Sequence, residues 1–278
     1  MQGRPLFALE FGSAARARME AELAAAQTAY DASPNDADAI IWLGRRLAYL
    51  GRFRDAIDVF SEGITKHPGD ARLYRHRGHR LITTRQLGRA IADLETAARL
   101  VRGRPDEVEP DGQPNPHGIP VSTLQTNIWY HLALAHYLRH DFEAALPAWR
   151  TALERAGNDD MVVAVTDWLY LTLRRLGRDA EAEEALGAIT PDMQILENHA
   201  YHRRLLMYRG LIEPGDLMPA DTEDPVQLAT YGYGLACWYR FTGDRLSAET
   251  MLRRIVGGPN WAAFGYMAAE AELAGGGR

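Results

Sequence analysis

The sequence predicts an all-α solenoid, a stack of helical hairpins, because its residue pattern returns after 34 positions. Pro34 and Pro68 are 34 residues apart, and so are Ala56 and Ala90. Between the two prolines, small and large apolar residues hold fixed offsets along two helical stretches that meet at Gly51. A period of roughly 20–50 residues is the signature of repeat architectures, in which each unit buries its apolar face against the next.

Five small residues mark the repeats along the chain, at Ala56, Ala90, Ala145, Ala182 and Ala248. Their intervals of 34, 55, 37 and 66 residues correspond to one repeat, one repeat with an insertion, one repeat and two repeats. We therefore expect six repeats, at residues 37–69, 70–102, 122–157, 160–190, 194–217 and 224–257. The fifth repeat has a short second helix, because Glu213-Pro214-Gly215 interrupts it. Helices at 14–34 and 261–274 are expected to cover the two open ends of the stack.

Residues 103–121 form the predicted insertion, because this run contains five prolines and three glycines and cannot continue a helix. It is also longer than an ordinary connection between helices, which spans about 2–8 residues. Four carboxylates make it acidic: Asp106, Glu107, Glu109 and Asp111. We expect the insertion to fold over the concave face near Arg72 and Arg75, as a rim or as a ligand of its own chain. The alternative is a solvated loop on the outer edge.

The composition argues against several classes of function. A formal net charge of −6 and a pI near 5.9 disfavour general nucleic-acid binding, since phosphates require a basic surface. No apolar run is long enough to form a transmembrane helix. The single cysteine, Cys237, excludes an internal disulfide and a cysteine-based zinc cage. As written, the chain is expected in the cytoplasm, or in the periplasm if a signal peptide has been removed.

The first repeat carries the pattern in its fullest form, at Leu43-Gly44, Leu47, Gly51, Phe53, Ala56, Phe60, Gly63 and Pro68. This pattern resembles the tetratricopeptide repeat, and the resemblance extends over nearly the whole chain. It is loosest in the second and fifth repeats, where for example Arg77 stands at the position of Leu43. The resemblance implies a right-handed superhelix, and the chain as a whole looks like bacterial repeat proteins of unassigned role.

In this family the first helix of each repeat lines the concave face through the second, fifth, ninth and twelfth positions. Carried onto this chain, the resemblance implies a cationic and aromatic groove formed by Arg45, Arg72, Arg75, His79, Asn127, Tyr130, Tyr137, Asp167, Arg174, His202 and Tyr233. Arginine forms strong charge-assisted hydrogen bonds with carboxylates and phosphates. The resemblance thus implies a non-catalytic scaffold that binds an acidic or C-terminal peptide segment of a protein partner. The alternative for the arginines is surface pairing with Asp38, Asp70 and Asp167.

A second interpretation of the same cluster is a small-molecule receptor or a metal-dependent enzyme that uses its His, Arg and Tyr side chains. His76, His79 and His131 are the candidate metal ligands, and His79 or His202 beside Asp167 is the candidate acid–base pair. No phosphate-binding loop, dinucleotide fingerprint or nucleophile elbow occurs in the sequence, and no cofactor is expected. A closed pocket favours this interpretation, whereas an open groove favours a peptide scaffold.

Overall fold

The computed structural model describes residues 6–218 and 225–275 of the 278-residue chain, and over those residues it is all-helical. The helices are Ser13–Ala32 (α1), Ala37–Tyr49 (α2), Phe53–Lys66 (α3), Ala71–Thr83 (α4), Leu87–Leu100 (α5), Leu124–Leu138 (α6), Phe142–Glu154 (α7), Asp159–Arg175 (α8), Asp179–Leu186 (α9), His199–Tyr208 (α10), Pro214–Leu217 (α11), Pro225–Phe241 (α12), Arg245–Gly257 (α13) and Phe264–Ala274 (α14). Asp224, with which the sixth predicted repeat begins, lies outside the described residues.

Consecutive helices pack as antiparallel hairpins that stack in chain order. The hairpins are α2 with α3, α4 with α5, α6 with α7, α8 with α9, and α12 with α13. The second helix of a hairpin packs in turn against the first helix of the next, as α3 does against α4 and α5 against α6. The helix α10 is followed only by the four-residue α11, which begins at Pro214. The predicted all-α solenoid is confirmed.

The packing explains why small residues recur at fixed offsets. A Cβ atom added to Gly44 would lie 2.4 Å from the ring of Phe60, so α2 and α3 approach each other closely only because Gly44 has no side chain. Trp149 takes the place of Phe60 in the third repeat and is completely buried. Full burial of such a side chain contributes roughly 1.5–3 kcal/mol, so the repeated apolar positions stabilise each hairpin and its neighbour together.

Each hairpin turn contains one residue in the left-handed backbone region. Glycine occupies this position in four repeats, at Gly51, Gly177, Gly210 and Gly243, with φ between 69° and 91°. In the second and third repeats the residue is instead Arg85, with φ 65°, and His140, with φ 61°. A residue with a Cβ atom in this conformation costs roughly 1–2 kcal/mol relative to the right-handed region.

The two terminal helices differ in burial. In α1 only Met19 is buried, which fits a helix that covers the first repeat with one face. In α14 every residue from Gly265 to Glu272 is buried. This helix packs against α12 and α13, as the cover of the last repeat should, but it also contacts α6. The helix α14 therefore packs on the last repeat and also reaches α6, the first helix of the third repeat.

Candidate functional site

The insertion, residues 103–121, is held at both ends by hydrogen bonds, and we call it the strap. At one end the Asp106 carboxylate accepts hydrogen bonds from the Thr123 hydroxyl, at 2.7 Å, and from the Gln125 backbone, at 3.0 Å. An antiparallel bridge pairs Val108 with Thr123. At the other end the Asn158 amide donates to the Val121 carbonyl. Anchors at both ends limit the path that the middle of the strap can take.

The middle of the strap crosses the first helices of the first two repeats. Arg45 donates to the Pro110 carbonyl at 2.7 Å, and Arg46 donates to the Gly112 carbonyl at 2.8 Å. Glu109 pairs with Arg75 at 2.9 Å, and only about a tenth of either side chain is exposed. The strap thus lies across α2 and α4, where Arg45 and Arg46 hold its carbonyl groups and Arg75 holds the Glu109 carboxylate.

Three arginines of α2 and α4 line a cavity beneath the strap: Arg45, Arg75 and Arg80, which we call the arginine cluster. Arg45 stacks over Trp42, with 4.4 Å between the guanidinium carbon and the ring centroid, and Arg75 pairs with Glu109. Within the described part of the chain, Arg80 forms no ion pair and donates no hydrogen bond. Burial, together with the neighbouring Arg75 charge, lowers the pKa of Arg80 to about 9. The cluster therefore carries positive charge that the strap only partly neutralises.

The three histidines that were candidate metal ligands pack against aromatic rings and, in one case, against each other. The rings of His79 and His131 lie 4.3 Å apart, and Phe264 of α14 packs against both. His76 stacks on Phe60 and accepts a hydrogen bond from Arg75. Burial, and after it the positive charges around them, lower the pKa of His76, His79 and His131 well below the ordinary value. In the parts of the chain that the structure describes, no group of three histidine, cysteine or acidic side chains could hold a metal ion.

Four predicted groove residues are core residues. Tyr137 and Tyr233 are buried and share a hydrogen bond of 2.8 Å, and Tyr130 is buried against Trp149. Asp167 is fully buried and pairs with Arg204 at 2.8 Å. Burial raises the pKa of Asp167 to about 7, and the Arg204 charge offsets only part of that rise. Tyr130 and Tyr233 also lie against α14, through Phe264 and Gly265, so this helix covers part of the predicted groove.

Three more predicted residues lie away from the arginine cluster. Arg72 pairs with Asp70 and with Asp38, each at 2.6 Å, which is the surface pairing that the alternative interpretation expects. Arg174 pairs with Asp179 at 2.8 Å, and His202 donates to the Thr190 carbonyl at 2.8 Å. Of the eleven predicted residues, the structure therefore gathers four around the cavity beneath the strap: Arg45, Arg75, His79 and Asn127.

A second group of arginines holds the C-terminal helix. Arg85 pairs with Glu270 at 2.9 Å and also donates to the Trp261 carbonyl at 2.8 Å. Arg175 and Arg240 both pair with Glu272. These three arginines, which we call the α14 clamp, come from the second, fourth and sixth repeats. The helix α14 is thus tied to distant repeats through its two carboxylates.

Sequence reasoning missed the α14 clamp, although two signals for it were present. Arg85 stands in the second hairpin turn, where Gly51 stands in the first. Glu270 and Glu272 are the only charged residues of an otherwise apolar helix, and both are nearly buried. A buried carboxylate needs a cationic partner, so two acidic residues in an apolar helix are a signal for arginines from elsewhere in the chain.

Comparison with known proteins supports the fold. No protein-family model matches the sequence, and no curated protein matches it. Among solved structures, a chain of the APC/C hetero-tetramer Cut9-Hcn1 aligns with a TM-score of 0.54 and 15% identity, over 92% of this chain and 46% of that chain. PilF from Pseudomonas aeruginosa aligns with a TM-score of 0.50 and 14% identity, over 93% and 92% of the two chains. YrrB, described as a TPR protein with an unusual peptide-binding site, aligns with a TM-score of 0.47 and 16% identity, over 90% and 98%.

In the described ranges, no helix combines the length and the apolar character that crossing a membrane requires.

The solved structures that align with this chain are tetratricopeptide repeat proteins, and its helical hairpins stack in the same way. Repeat architectures of this kind present extended concave surfaces on which other molecules bind. The chain therefore has the all-α repeat fold of the tetratricopeptide repeat proteins.

Proposed function

We propose that this chain is a non-catalytic binding scaffold whose concave face binds an acidic segment of a protein partner. One observation carries the proposal: two segments of the chain itself occupy that face, and arginines hold the carboxylates of both. Glu109 of the strap meets Arg75, and Glu272 of α14 meets Arg175 and Arg240. A partner segment with similar chemistry can use the same contacts.

The α14 clamp supports a helical ligand. An amphipathic or apolar helix laid into a groove is a common mode of peptide recognition. Charge-assisted hydrogen bonds to arginine contribute roughly 1.5–3 kcal/mol each. The clamp arginines face two carboxylates that are two residues apart, Glu270 and Glu272, on a helix rich in alanine. The proposed partner segment is therefore a short apolar helix with paired acidic residues.

Such a segment must compete with α14 for the groove. Because α14 belongs to the same chain, its effective concentration is high, of the order of millimolar for a short connection. The close contact between α14 and α12 adds to this advantage: a Cβ atom on Gly265 would lie 2.0 Å from the Ala229 carbonyl oxygen. We therefore expect binding of a partner to be weak until α14 is displaced.

A peptide titration tests the proposal. The probe is a fluorescent peptide with the sequence of residues 260–275, and the receptors are the full-length wild type and its Gly265→Ala variant. Because the added methyl group forces α14 away from Ala229, the variant should bind the peptide at least about tenfold more tightly than the wild type. The matched control is Gly88→Ala, since no atom lies within 4 Å of that added Cβ.

The role of the carboxylates is tested by a second peptide that carries Glu270→Gln and Glu272→Gln. Loss of both charges should weaken binding to the Gly265→Ala protein by at least about tenfold. Circular dichroism establishes that the variant keeps its helices. Equal binding of the acidic and the neutral peptide, or no binding to a folded variant, would contradict the proposal.

A further inference from the structure

The strap and the helices α2 and α4 border a cavity of about 200 Å³ that lies apart from the α14 clamp. A water molecule needs only about 10–15 Å³ of such space, whereas pockets for drug-sized ligands occupy about 300–1,000 Å³. The cavity therefore fits a guest of a few heavy atoms. Charged and polar side chains line most of it, beside Ala48 and Phe60, so a polar guest is favoured.

Two buried nitrogen atoms face this cavity without a hydrogen-bond partner among the described residues, Arg75 Nε and His79 Nδ1. The Arg75 Nε–H group is a donor in every protonation state of the guanidinium that carries charge. The Arg80 guanidinium has no ion-pair or hydrogen-bond partner among the described residues. The guanidinium is partly buried and lies over the Phe53 ring, with 5.7 Å between its central carbon and the ring centroid. Desolvation of a cation is costly, and the lowered pKa of Arg80 is consistent with that cost. The cavity thus favours a guest with anionic oxygen atoms.

Unpaired acceptors also face the same space. The Glu109 Oε2 and Asp111 Oδ2 atoms are buried and form no hydrogen bond with any part of the chain that the structure describes. Three arginine charges stand against these two carboxylates, which leaves one positive charge in excess. His76 and His79 add none, because burial keeps both imidazoles neutral. A matching guest must accept hydrogen bonds from the arginines and donate at least one to a carboxylate.

We propose that the cavity is a binding site for a small oxyanion that retains a hydroxyl proton, the chemistry of a hydrogen phosphate group. Its anionic oxygens accept from Arg75 and Arg80, and its P–OH group donates to Glu109 or Asp111. Sulfate has a similar size and shape but carries no proton at neutral pH, so the two carboxylates repel it. This inference is independent of the α14 clamp.

Calorimetric titration of the full chain with inorganic phosphate and with sulfate tests the inference. We expect saturable binding of one phosphate per chain, and binding of sulfate weaker by at least about tenfold. The Arg80→Gln variant should bind phosphate at least about tenfold more weakly than the wild type. Because Arg80 forms no ion pair with the described residues, this substitution should leave the fold intact, and thermal unfolding checks that point.

The matched control is Arg89→Gln, which removes an exposed arginine whose guanidinium donates to Gln86. Its affinity for phosphate should equal that of the wild type. The inference is overturned if phosphate shows no saturable binding up to about 10 mM, if Arg80→Gln binds as tightly as Arg89→Gln, or if sulfate binds as tightly as phosphate. A parallel titration with O-phosphoserine distinguishes free phosphate from a phosphate monoester as the source of the group.

Discussion

Arg85 and His140 occupy left-handed turn positions that glycine occupies in the other repeats, and both side chains meet the end of the chain. Arg85 pairs with Glu270. The His140 ring lies close to Gly275: a Cβ atom added to that glycine would be 2.9 Å from the ring. Both residues are therefore in a strained backbone conformation, and the side chain of each contacts α14 or the residue that follows it. The cost of the local conformation is offset by packing against a distant part of the chain.

We predict that Arg85→Gly destabilises the protein even though it relieves the turn. Breaking a buried ion pair costs about 3–5 kcal/mol, and relief of the left-handed strain returns about 1–2 kcal/mol. The free energy of unfolding in urea should therefore fall by about 2 kcal/mol. Gly177→Ala, at the equivalent turn of the fourth repeat, isolates the strain and should cost about 1–2 kcal/mol. An unchanged or higher stability of Arg85→Gly would show that the ion pair is unimportant.

The buried histidines predict loss of stability on acidification. Since the pKa of His76, His79 and His131 is lowered in the folded state, the unfolded chain binds more protons as the pH falls below about 6.5. Each histidine contributes at most about 1.4 kcal/mol per pH unit. Asp167 opposes this trend, because its raised pKa, about 7, lets the folded state take up a proton. The three histidines outweigh it.

Urea unfolding at pH 7.5 and at pH 5.5 measures this dependence. The free energy of unfolding should be lower at pH 5.5, and His79→Gln should show a smaller difference between the two pH values than the wild type. Equal stability at both pH values would mean that these imidazoles become protonated in the folded protein.

At the scale of elements, the strap is held by close packing of Gly112 against Tyr49 as well as by its charged contacts. A Cβ atom on Gly112 would lie 1.9 Å from the Tyr49 hydroxyl oxygen, and that hydroxyl accepts a hydrogen bond from Arg45. The strap therefore sits directly on the tyrosine, which is itself fixed by the arginine cluster. A larger residue at this position must shift one of the two.

We predict that Gly112→Ala loosens the strap without unfolding the repeats. Overpacking of this kind costs about 1–3 kcal/mol, and here the cost falls on strap contacts. Limited proteolysis should cleave within 103–121 faster than in the wild type, while the helical circular dichroism stays the same. Gln113→Ala, which removes only a 4.0 Å contact with Met19, is the control and should be cleaved at the wild-type rate.

The sequence predicted the hairpins well because their period reports local packing. Phe60 and Gly44 touch within one hairpin, so each repeat carries its own signal. Arg45 and Arg75 were predicted for the same reason, since both occupy repeat positions. The partners Arg85 and Glu270 are separated by 185 residues, and no period relates them. Charge complementarity pointed to the contact between the strap and Arg75, whereas the contacts of α14 join distant repeats, which a repeat pattern does not encode.

At the scale of the whole molecule, α14 connects repeats that otherwise touch only their neighbours. A solenoid is close to one-dimensional, and its stability is a sum over repeats and the interfaces between them. Here Glu270 reaches the second repeat and Glu272 reaches the fourth and the sixth. Trp261 adds a contact with Phe53 of the first repeat. These contacts should make unfolding more cooperative than stacking alone.

We predict that the wild type unfolds in one transition and that Gly265→Ala uncouples the repeats. Helical circular dichroism and tryptophan fluorescence should report the same urea midpoint for the wild type. For Gly265→Ala the two midpoints should separate, because the long-range contacts through α14 are weakened. Gly88→Ala should keep the midpoints together. Coincident midpoints in Gly265→Ala would show that stacking between neighbours is sufficient for cooperativity.

Hydrogen exchange of the α14 amides in the presence of the acidic peptide tests most directly whether partner and α14 share the groove. If they share it, saturating peptide should displace α14 from the wild-type protein, and exchange at residues 265–274 should become faster while α2–α8 stay protected. If the peptide binds and the protection of α14 does not change, the peptide occupies another surface and the proposed groove is wrong.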